Sequence, residues 1–230
     1  MNFSLSIVVP VFNEEKRLNK TFSELEEFVK IKRFSSEGMP FSGVKNLEII
    51  FVDDGSTDRT KQIIENLKSE LRISLISYRE NKGKGYAVRR GMLCAKNDYA
   101  LTFDADMSTS LEELQKMIPF VEKKYPVIIG TRKVKGAKMI PPQPFFRKKL
   151  GEAYTIFANL IMGVWVSDFT CGFKLFSREA RDIIFPSAKI DRWSYDAEIL
   201  YLAKKIVLIF VKFQLYGKTT LTRAFVCVRI

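Results

Sequence analysis

Short apolar runs alternate along this chain with stretches whose apolar positions recur at helical spacing. Residues 6–11 (SIVVPV) form the first β-branched run, and Leu18, Phe22, Leu25 and Val29 then recur on one helix face. Further strands are predicted at residues 48–52, Ile73–Ser77, 99–103 and 127–130, further helices at 61–71, 85–96 and 110–121, and a loop at 31–46. Near-continuous apolar strands separated by helices predict an α/β domain with a mainly parallel central sheet, flanked by helices on both faces.

Polar clusters follow four of the predicted strands, at the point where each strand ends. The sequence reads FNEE after the first strand, DDGSTD after the second, DAD after the fourth and GTRK after the fifth. The carboxyl ends of parallel strands meet at one edge of a sheet, where ligands bind in open α/β folds. A purely structural core accounts for the strands but not for this shared placement of charge, so the pattern predicts a binding site at that edge.

Asp104 and Asp106 stand two residues apart, directly after the fourth predicted strand. Side chains at this spacing share a face while the extended conformation persists, so two like charges would lie close together. A polar turn is the simple interpretation, because aspartate is common in turns. The alternative is a divalent cation between the carboxylates, whose hard oxygen atoms suit Mg²⁺ or Mn²⁺. The position after an apolar strand favours the cation.

Two glycine-containing turns add candidate binding groups. Residues 53–58 (DDGSTD) end a strand and open a helix, so ordinary turn chemistry is one interpretation and a carboxylate that binds a nucleotide base is the other. Residues 81–86 (NKGKGY) form a basic, glycine-rich turn before a helix, a setting that suits phosphate. Lys84 is the candidate phosphate ligand there, although a solvated turn explains the same residues.

Composition narrows the chemistry. The chain has 230 residues, 47% of them hydrophobic, which is normal for a packed domain. Histidine is absent, which excludes imidazole acid–base chemistry and histidine metal sites. The three cysteines, Cys94, Cys171 and Cys227, lack C-x-x-C spacing, so neither a zinc site nor a disulfide framework is expected and a reducing compartment is favoured. The formal charge of +12 favours anionic partners: nucleic acid, phosphorylated small molecules or a membrane surface.

One stretch of the chain bears on the membrane. Residues 132–149 contain seven basic residues and no acidic residue, and residues 150–165 then form a largely apolar helical pattern. Such a pair suits an anionic membrane surface, whereas a core helix beside a solvated basic loop is the alternative. The first residues lack the features of a signal peptide, and the apolar runs fall short of the roughly 20 residues that span a bilayer. Peripheral attachment is therefore the form expected.

Several motifs, in this order over residues 5–204, together resemble the inverting family-2 glycosyltransferases: SIVVPVFNEE, EIIFVDDGSTD, NKGKGYAVRRG, TFDADMSTS, IIGTRK and SDFTCGFKLFSREA. CGFKLF and DRWSYDAEIL most resemble the members that glucosylate polyprenyl (dolichyl) phosphate. The resemblance implies a GT-A fold, a nucleotide-diphosphate sugar donor, a polyprenyl phosphate acceptor and a place on the cytoplasmic face of a membrane. UDP-glucose is the preferred donor, and GDP-mannose is the nearest alternative.

The resemblance also implies roles for individual residues. Asp104 and Asp106 would hold Mg²⁺ or Mn²⁺, Ala105 would contact the donor through its backbone, and Arg132 and Arg147 would contact phosphate. The other implied residues are the nucleotide-pocket residues Pro10, Phe12, Glu14, Val52, Asp53 and Asp54, and the catalytic residue Asp196 near the transferred sugar. A phosphomonoester acceptor is already anionic near neutral pH, so the reaction needs cations to position it rather than a histidine base.

The resemblance ends after Lys204. Residues 1–204 are therefore predicted to form the GT-A domain, and residues 205–230 a C-terminal segment that departs from the family pattern. A catalytically inactive protein of the same fold is compatible with that altered segment. A basic nucleic-acid-binding protein would explain the charge, but acidic residues at the strand ends would repel a polyphosphate without a metal. Nucleic acid is therefore not an expected partner.

Overall fold

Strands alternate with helices through the part of the chain that the structure, a computed structural model, describes: residues 2–34, 41, 43–67, 73–106, 108–131, 145–164, 166, 168–205 and 210–214. The strands are β1 (Phe3–Val11), β2 (Val44–Asp53), β3 (Ile73–Ser77), β4 (Tyr99–Thr102), β5 (Val127–Thr131), β6 (Lys174–Ser177) and β7 (Phe210–Gln214). The helices are α1 (Leu18–Phe34), α2 (Thr60–Leu67), α3 (Lys84–Cys94), α4 (Ile118–Glu122), α5 (Phe145–Met162), α6 (Arg178–Ser187) and α7 (Tyr195–Lys205), with a 3-10 helix at Leu111–Lys116.

These strands form one sheet in the order β3-β2-β1-β4-β6-β5-β7. Strand β1 pairs in parallel with β2 and with β4, β2 pairs in parallel with β3, and β5 pairs in parallel with β7. Strand β6 is antiparallel to both of its neighbours, β4 and β5. The α/β class and the mainly parallel sheet predicted from the sequence are confirmed, and β6 and β7 are strands that the periodicity did not predict.

The alternation of side chains along the central strands builds a core on each face of the sheet. In β1, Ile7 and Val9 face the cluster formed with α1, α2 and the 3-10 helix, whereas Val8 faces the cluster formed with α3, α6 and α7. In β2, Phe51 and Ile50 divide in the same way. Helices therefore cover both faces, which leaves the ends of the strands as the open edges.

Several predicted boundaries shift in the structure. The first helix runs to Phe34 and β2 starts at Val44, so the predicted loop at residues 31–46 is shorter than expected. The helix predicted at residues 110–121, from the capping-box spacing of Ser110 and Glu113, is a 3-10 helix followed by the short α4. Ser110 does cap the segment, because its hydroxyl accepts from the backbone N–H of Glu112 at 3.2 Å. Pro119 lacks an amide donor and cannot continue an α-helix from the residues before it.

Helix α5 is buried on one face and exposed on the other. Asn159 is buried and exchanges two 2.9 Å hydrogen bonds with the backbone of Val166, while Ala158 packs into the core. The opposite face presents large apolar side chains that are between 62% and 73% exposed: Leu150, Ile156, Phe157, Leu160 and Ile161. Among the helices in the described ranges, none has the length and apolar character needed to cross a membrane.

Candidate active site

A cavity of about 720 Å³ opens where β1, β2 and β4 end, at the edge of the sheet that the polar clusters predict. Its walls are the loops after these three strands, the glycine-rich turn before α3 and the loop before α7. The predicted site residues that line it are Pro10, Phe12, Glu14, Asp54, Lys84, Asp104, Ala105, Asp106 and Asp196. Residues up to 186 positions apart in a chain of 230, from Pro10 to Asp196, thus meet in one cavity because parallel strands end together.

Asp104 and Asp106 lie on the wall that follows β4. The Oδ1 atom of Asp104 is 2.7 Å from the Nζ atom of Lys84, and the Oδ1 atom of Asp106 accepts from the backbone N–H of Ser108 at 2.9 Å. Burial opposes the charge on Lys84, but Asp104 and the other carboxylates of the cavity outweigh it and raise the pKa of this ammonium group. A cation therefore already lies beside the first aspartate.

These groups fit a divalent cation. In the described residues no three acidic or sulfur side chains converge as a ready metal site, and the chain has no histidine. Mg²⁺ in phosphate-transfer sites commonly uses one or two carboxylates and takes its remaining ligands from phosphate and water. The donor set of Asp104 and Asp106 has that character, and the ammonium group on Asp104 shows that the carboxylate can accept a cation at this position.

Asp54 is a structural centre of the cavity wall. It is 3% exposed, and its Oδ1 atom accepts from the hydroxyl of Tyr78 at 2.7 Å and the backbone N–H of Lys82 at 2.9 Å. Its Oδ2 atom accepts from the side chain of Asn81 at 2.9 Å and the backbone N–H of Gly83 at 2.8 Å. One carboxylate thus holds the glycine-rich turn in place.

Val52 and Asp53 are not among the described residues that line the cavity. The side chain of Val52 is buried in the core against α3, and Asp53 accepts from the backbone N–H of Ser56 at 3.0 Å and the hydroxyl of Ser77 at 3.1 Å. A contact between either residue and a nucleotide base stays a prediction.

The segment after β2 also braces the segment after β1. The backbone N–H of Asn13 donates to the hydroxyl of Ser56 at 3.0 Å, and the side chain of Asn13 accepts from the backbone N–H of Thr57 at 2.8 Å. Gly55 has a φ of 75°, and a Cβ there would lie within 2.9 Å of backbone atoms of residues 79–81. The glycine of DDGSTD is therefore required both by its conformation and by a close approach of the chain.

Asp196, at the start of α7, lines the same cavity. Its Oδ1 atom contacts the Nζ atom of Lys174, a buried lysine that also donates to the carbonyl oxygen of Phe169 at 3.0 Å and of Cys171 at 2.5 Å. Burial raises the pKa of Asp196, and the neighbouring ammonium groups of Lys174 and Lys84 oppose that rise. Asp196 is therefore paired with a buried lysine that is not among the described residues lining the cavity.

The loop before α7 contributes residues that the sequence did not single out. Arg192 and Trp193 line the cavity, and the indole of Trp193 is 93% exposed at its rim. The guanidinium of Arg192 donates to the side chain of Asn81 at 3.4 Å, which joins this loop to the glycine-rich turn. Ser194 has a φ of 76°, a conformation uncommon for a residue with a side chain. The only sequence signal was the wording DRWSYD itself.

Two predicted phosphate ligands fall where the structure gives no side-chain description. Arg132 lies outside the described residues, and Arg147 lies in α5 among positions whose side chains are not described. Their contacts with phosphate stay predictions. Arg17, which the sequence did not single out either, lines the cavity and lies 3.1 Å from the carboxylate of Glu14.

Most of the residues that line this cavity lie in a segment that matches a known protein family. Residues 6–185 match the family model described as Glycosyl transferase family 2. A dolichyl-phosphate beta-glucosyltransferase from Dictyostelium discoideum is 34% identical over 213 residues, which cover 89% of this chain and 63% of that protein. The chain spans between 59% and 64% of the length of eight curated relatives that carry this name.

Solved structures share the architecture. Glucosyl-3-phosphoglycerate synthase from Mycobacterium tuberculosis, in complex with UDP, superposes with a TM-score of 0.61 at 14% identity, covering 96% of this chain and 74% of that chain. A mannosyltransferase from Pyrobaculum calidifontis, in complex with GDP-Man and Mn²⁺, gives 0.56 at 16% identity, with coverage of 90% and 52%. At these identities the likeness shows the fold, a GT-A-like α/β architecture, and nothing finer.

Proposed function

The chain belongs to glycosyl transferase family 2, and we propose that it transfers a hexose with inversion onto a polyprenyl (dolichyl) phosphate. In this proposal the transferred sugar is glucose and the donor is UDP-glucose. The observation that carries it is the acidic pair Asp104 and Asp106, which lies beside a lysine at the wall of a cavity of about 720 Å³ that Asp196 also lines. The names of the curated relatives support the acceptor and the sugar.

The donor would lie along the carboxyl ends of β1, β2 and β4. Phe12 and Pro10 offer apolar surface for the base, and the glycine-rich turn held by Asp54 offers Lys84 to the diphosphate. Asp104 and Asp106 would hold Mg²⁺ or Mn²⁺, and such a cation neutralises charge on the leaving diphosphate when it is bound. Ala105, between the two aspartates, is close enough to the cavity for a backbone contact with the donor.

The acceptor needs positioning more than activation. A phosphomonoester carries about −1.5 to −2 charges near neutral pH, so its oxygen is a nucleophile without a general base. In the proposed step this oxygen bonds to C1 of the hexose from the face opposite the leaving group. The bond between C1 and the diphosphate oxygen breaks, and the nucleoside diphosphate leaves with the electron pair. Arg192 and Arg17 line the described cavity and can orient the two anions, and the proposal gives Arg132 and Arg147 the same role.

A lipid acceptor also implies a membrane surface. The exposed apolar face of α5 follows the basic stretch at residues 132–149 along the chain. We propose that this face rests at the headgroup boundary on the cytoplasmic side, with the basic stretch on anionic headgroups. Contact of the α5 face and of the basic stretch with the membrane would bring the cavity close to the phosphate of a membrane-held acceptor.

The donor and the metal are tested by thermal shift. UDP, UDP-glucose, GDP and GDP-mannose are added separately to the purified chain, with and without Mn²⁺. UDP or UDP-glucose with Mn²⁺ is expected to raise Tm by about 5 °C or more at 100 times Kd. A rise with guanine nucleotides alone would assign the donor to GDP-mannose. No rise with any nucleotide, together with salt-sensitive retention on nucleic acid, would support the nucleic-acid-binding alternative.

Transfer itself is tested with radiolabelled UDP-glucose and a short polyprenyl phosphate. Labelled lipid product is expected from the purified chain, and at least about 100-fold less of it from Asp104→Asn. Donor binding without product would identify a catalytically inactive member of the family.

The membrane surface is tested by sedimentation with vesicles. Binding is expected to vesicles that contain phosphatidylserine and to weaken in Phe157→Glu, which places a charge on the exposed face of α5. Ile183→Glu, at an exposed apolar residue of α6, is the matched control and is expected to bind as the parent chain does. Equal binding by both variants would refute a role for α5.

A further inference from the structure

Gly172, two residues before β6, lies directly against the carboxylate of Asp104. A Cβ atom built at Gly172 would be 2.2 Å from the Oδ2 atom of Asp104 and 2.4 Å from both its Oδ1 and its Cγ atoms. Non-bonded heavy atoms make favourable contacts at about 3.5–4.0 Å, so these distances mean steric exclusion. The space that a side chain at position 172 would need is filled by the carboxylate that would hold the metal.

The backbone around Gly172 is fixed, so it cannot retreat from a larger side chain. The hydroxyl of Thr102, on β4, donates to the carbonyl oxygen of Gly172 and accepts from the backbone N–H of Lys174 at 3.2 Å. The ammonium group of Lys174 holds the carbonyl oxygen of Cys171 at 2.5 Å. The carbonyl oxygen of Phe173 accepts from the backbone N–H of Gly130 on β5 at 2.9 Å. Hydrogen bonds to the two neighbouring strands therefore hold this segment as a rigid floor.

The backbone conformation does not itself demand glycine at this position. In the described part of the chain, the glycines with positive φ are Gly55, Gly83 and Gly163, and Gly172 is not one of them. An alanine at position 172 would therefore meet no backbone strain. The atoms that it would displace belong to the end of one flexible side chain, that of Asp104. The glycine is explained by the space that it leaves for the carboxylate.

We propose that Gly172 is a positioning residue for Asp104. The absence of a side chain at position 172 leaves room for the Asp104 carboxylate beside Lys84 at the cavity wall, in the orientation from which it would bind a divalent cation. Thr102 supports this role by fixing the carbonyl oxygen of Gly172. The inference rests on the proposed function, because it assigns Asp104 to the metal.

The primary test is the affinity of the full chain for Mn²⁺ in the presence of saturating UDP, measured by the loss of the free Mn²⁺ signal in electron paramagnetic resonance. Gly172→Ala is expected to weaken Mn²⁺ binding by about 10- to 100-fold, the range typical when a group that orients a metal ligand is lost. Its stability to urea should stay close to that of the parent chain.

Gly163→Ala is the matched control. Gly163 has a φ of 60°, and a Cβ there would lie 2.6 Å from the Nζ atom of Lys204, outside the cavity. This variant is expected to lose stability and to retain Mn²⁺ affinity, the reverse of Gly172→Ala. A general loss of stability would therefore not be mistaken for a positioning effect.

A second pair of variants tests the floor without adding atoms against Asp104. Thr102→Val removes the hydroxyl at nearly constant shape and is expected to weaken Mn²⁺ binding. Thr102→Ser keeps the hydroxyl and should bind Mn²⁺ as the parent chain does. In an Asp104→Asn background, Gly172→Ala should cause no further loss, because the two changes act through the same carboxylate.

The outcomes separate the inference from the function beneath it. If the parent chain with UDP does not bind Mn²⁺, the proposed metal site is wrong and the inference falls with it. If the parent chain binds Mn²⁺ and both Gly172→Ala and Thr102→Val bind it equally well, the metal site stands and the role of Gly172 is refuted. Should Gly172→Ala fail to fold, unchanged affinity in Thr102→Val alone overturns the inference.

Discussion

The aspartates after β2 and the aspartates after β4 look alike in sequence but differ in what surrounds them. Asp53 and Asp54 are buried, and the carboxylate of Asp54 accepts four hydrogen bonds from Tyr78 and the glycine-rich turn. Asp104 faces the cavity beside the ammonium group of Lys84, and Asp106 is exposed there. Both pairs end strands that flank β1, so position in the fold does not explain the difference.

The type of partner explains it. Backbone N–H groups cannot leave Asp54 unless the turn that carries them unfolds, so this carboxylate is committed to structure. A lysine side chain is flexible, and another cation can take its place beside Asp104. Asp54 therefore builds the wall of the cavity, whereas Asp104 is a group that can exchange its partner. Variants at the two pairs should fail in different assays.

The largest effect is expected from Asp104→Asn. Removal of one carboxylate charge from the metal pair should lower the rate of transfer by about 100- to 1,000-fold, the range for loss of one electrostatic stabiliser in an active site. Stability to urea should change little, because the side chain is at the cavity surface. Transfer of radiolabelled glucose to polyprenyl phosphate and urea unfolding are the two measurements.

Asp182→Asn is the control for Asp104→Asn. Asp182 lies on α6 with its side chain 57% exposed, outside the cavity, and its loss should leave both measurements unchanged. Transfer at the parent rate by Asp104→Asn would contradict the assignment of the metal pair.

The next effect is expected from Asp54→Ala. The change leaves the hydroxyl of Tyr78 and the donors of the glycine-rich turn without their acceptor. Loss of such a buried hydrogen-bonded group should lower the free energy of unfolding by about 3 kcal/mol. Urea unfolding measures it directly. A parent-like midpoint with a loss of transfer alone would make Asp54 a ligand-binding residue and would erase the contrast between the two pairs.

The sequence predicted five of the seven strands in the described ranges, because each of these five is an apolar run followed by polar residues. Ile73–Ser77 has the bounds that the sequence predicts, and the start of β4 at Tyr99 is the predicted one. Strand β6 was not predicted, since four buried residues carry no periodicity and an antiparallel pairing depends on neighbours far away in the chain. Pairing partners are a property of the assembled sheet.

For the site, the sequence predicted which segments meet but not how their side chains are used. Asp54 and Asp104 were both assigned to ligands, and the contact of Asp54 with a base stays a prediction. Only the structure reveals that the Asp54 carboxylate also accepts hydrogen bonds from Asn81 and its neighbours. Arg192 was missed because an arginine in a polar loop resembles any solvated charge. The role proposed for Gly172 depends on the distance of 2.2 Å between a Cβ built at this position and the Oδ2 atom of Asp104, which no sequence pattern expresses.

A smaller effect is expected from Lys84→Met, which tests whether the ammonium group of this lysine competes with the metal for Asp104. Without the ammonium group, the negative potential at Asp104 is stronger, so Mn²⁺ should bind more tightly in the absence of nucleotide. Affinity for UDP should fall by about tenfold, or 1.4 kcal/mol, because a phosphate contact is lost. Titrations of Mn²⁺ alone and of UDP with saturating Mn²⁺ separate the two. Lys116→Met, at an ion pair with Glu113, is the control.

The smallest effect is expected from Tyr78→Phe, which removes one of the four hydrogen bonds to Asp54 and keeps the ring. The free energy of unfolding should fall by about 1 kcal/mol near neutral pH. Tyr201→Phe, at an exposed tyrosine of α7, should cost less. An equal loss of unfolding free energy in the two variants would mean that the hydrogen bond from Tyr78 to Asp54 contributes less to stability than its geometry indicates.

The stability of the same variant also has a pH signature. Burial, and the Asp54 carboxylate to which it donates, raise the pKa of the Tyr78 hydroxyl well above its usual range. A hydroxyl whose pKa is higher in the folded than in the unfolded chain stabilises the fold fully below about pH 10 and progressively less above it, since only the unfolded chain then loses the proton. The difference in unfolding free energy between the parent chain and Tyr78→Phe should therefore be constant up to about pH 9 and shrink beyond pH 10. Because lysines and other tyrosines titrate in both proteins, their contributions cancel in this difference, and a difference that stays flat to pH 11 would show that Asp54 does not hold the tyrosine proton.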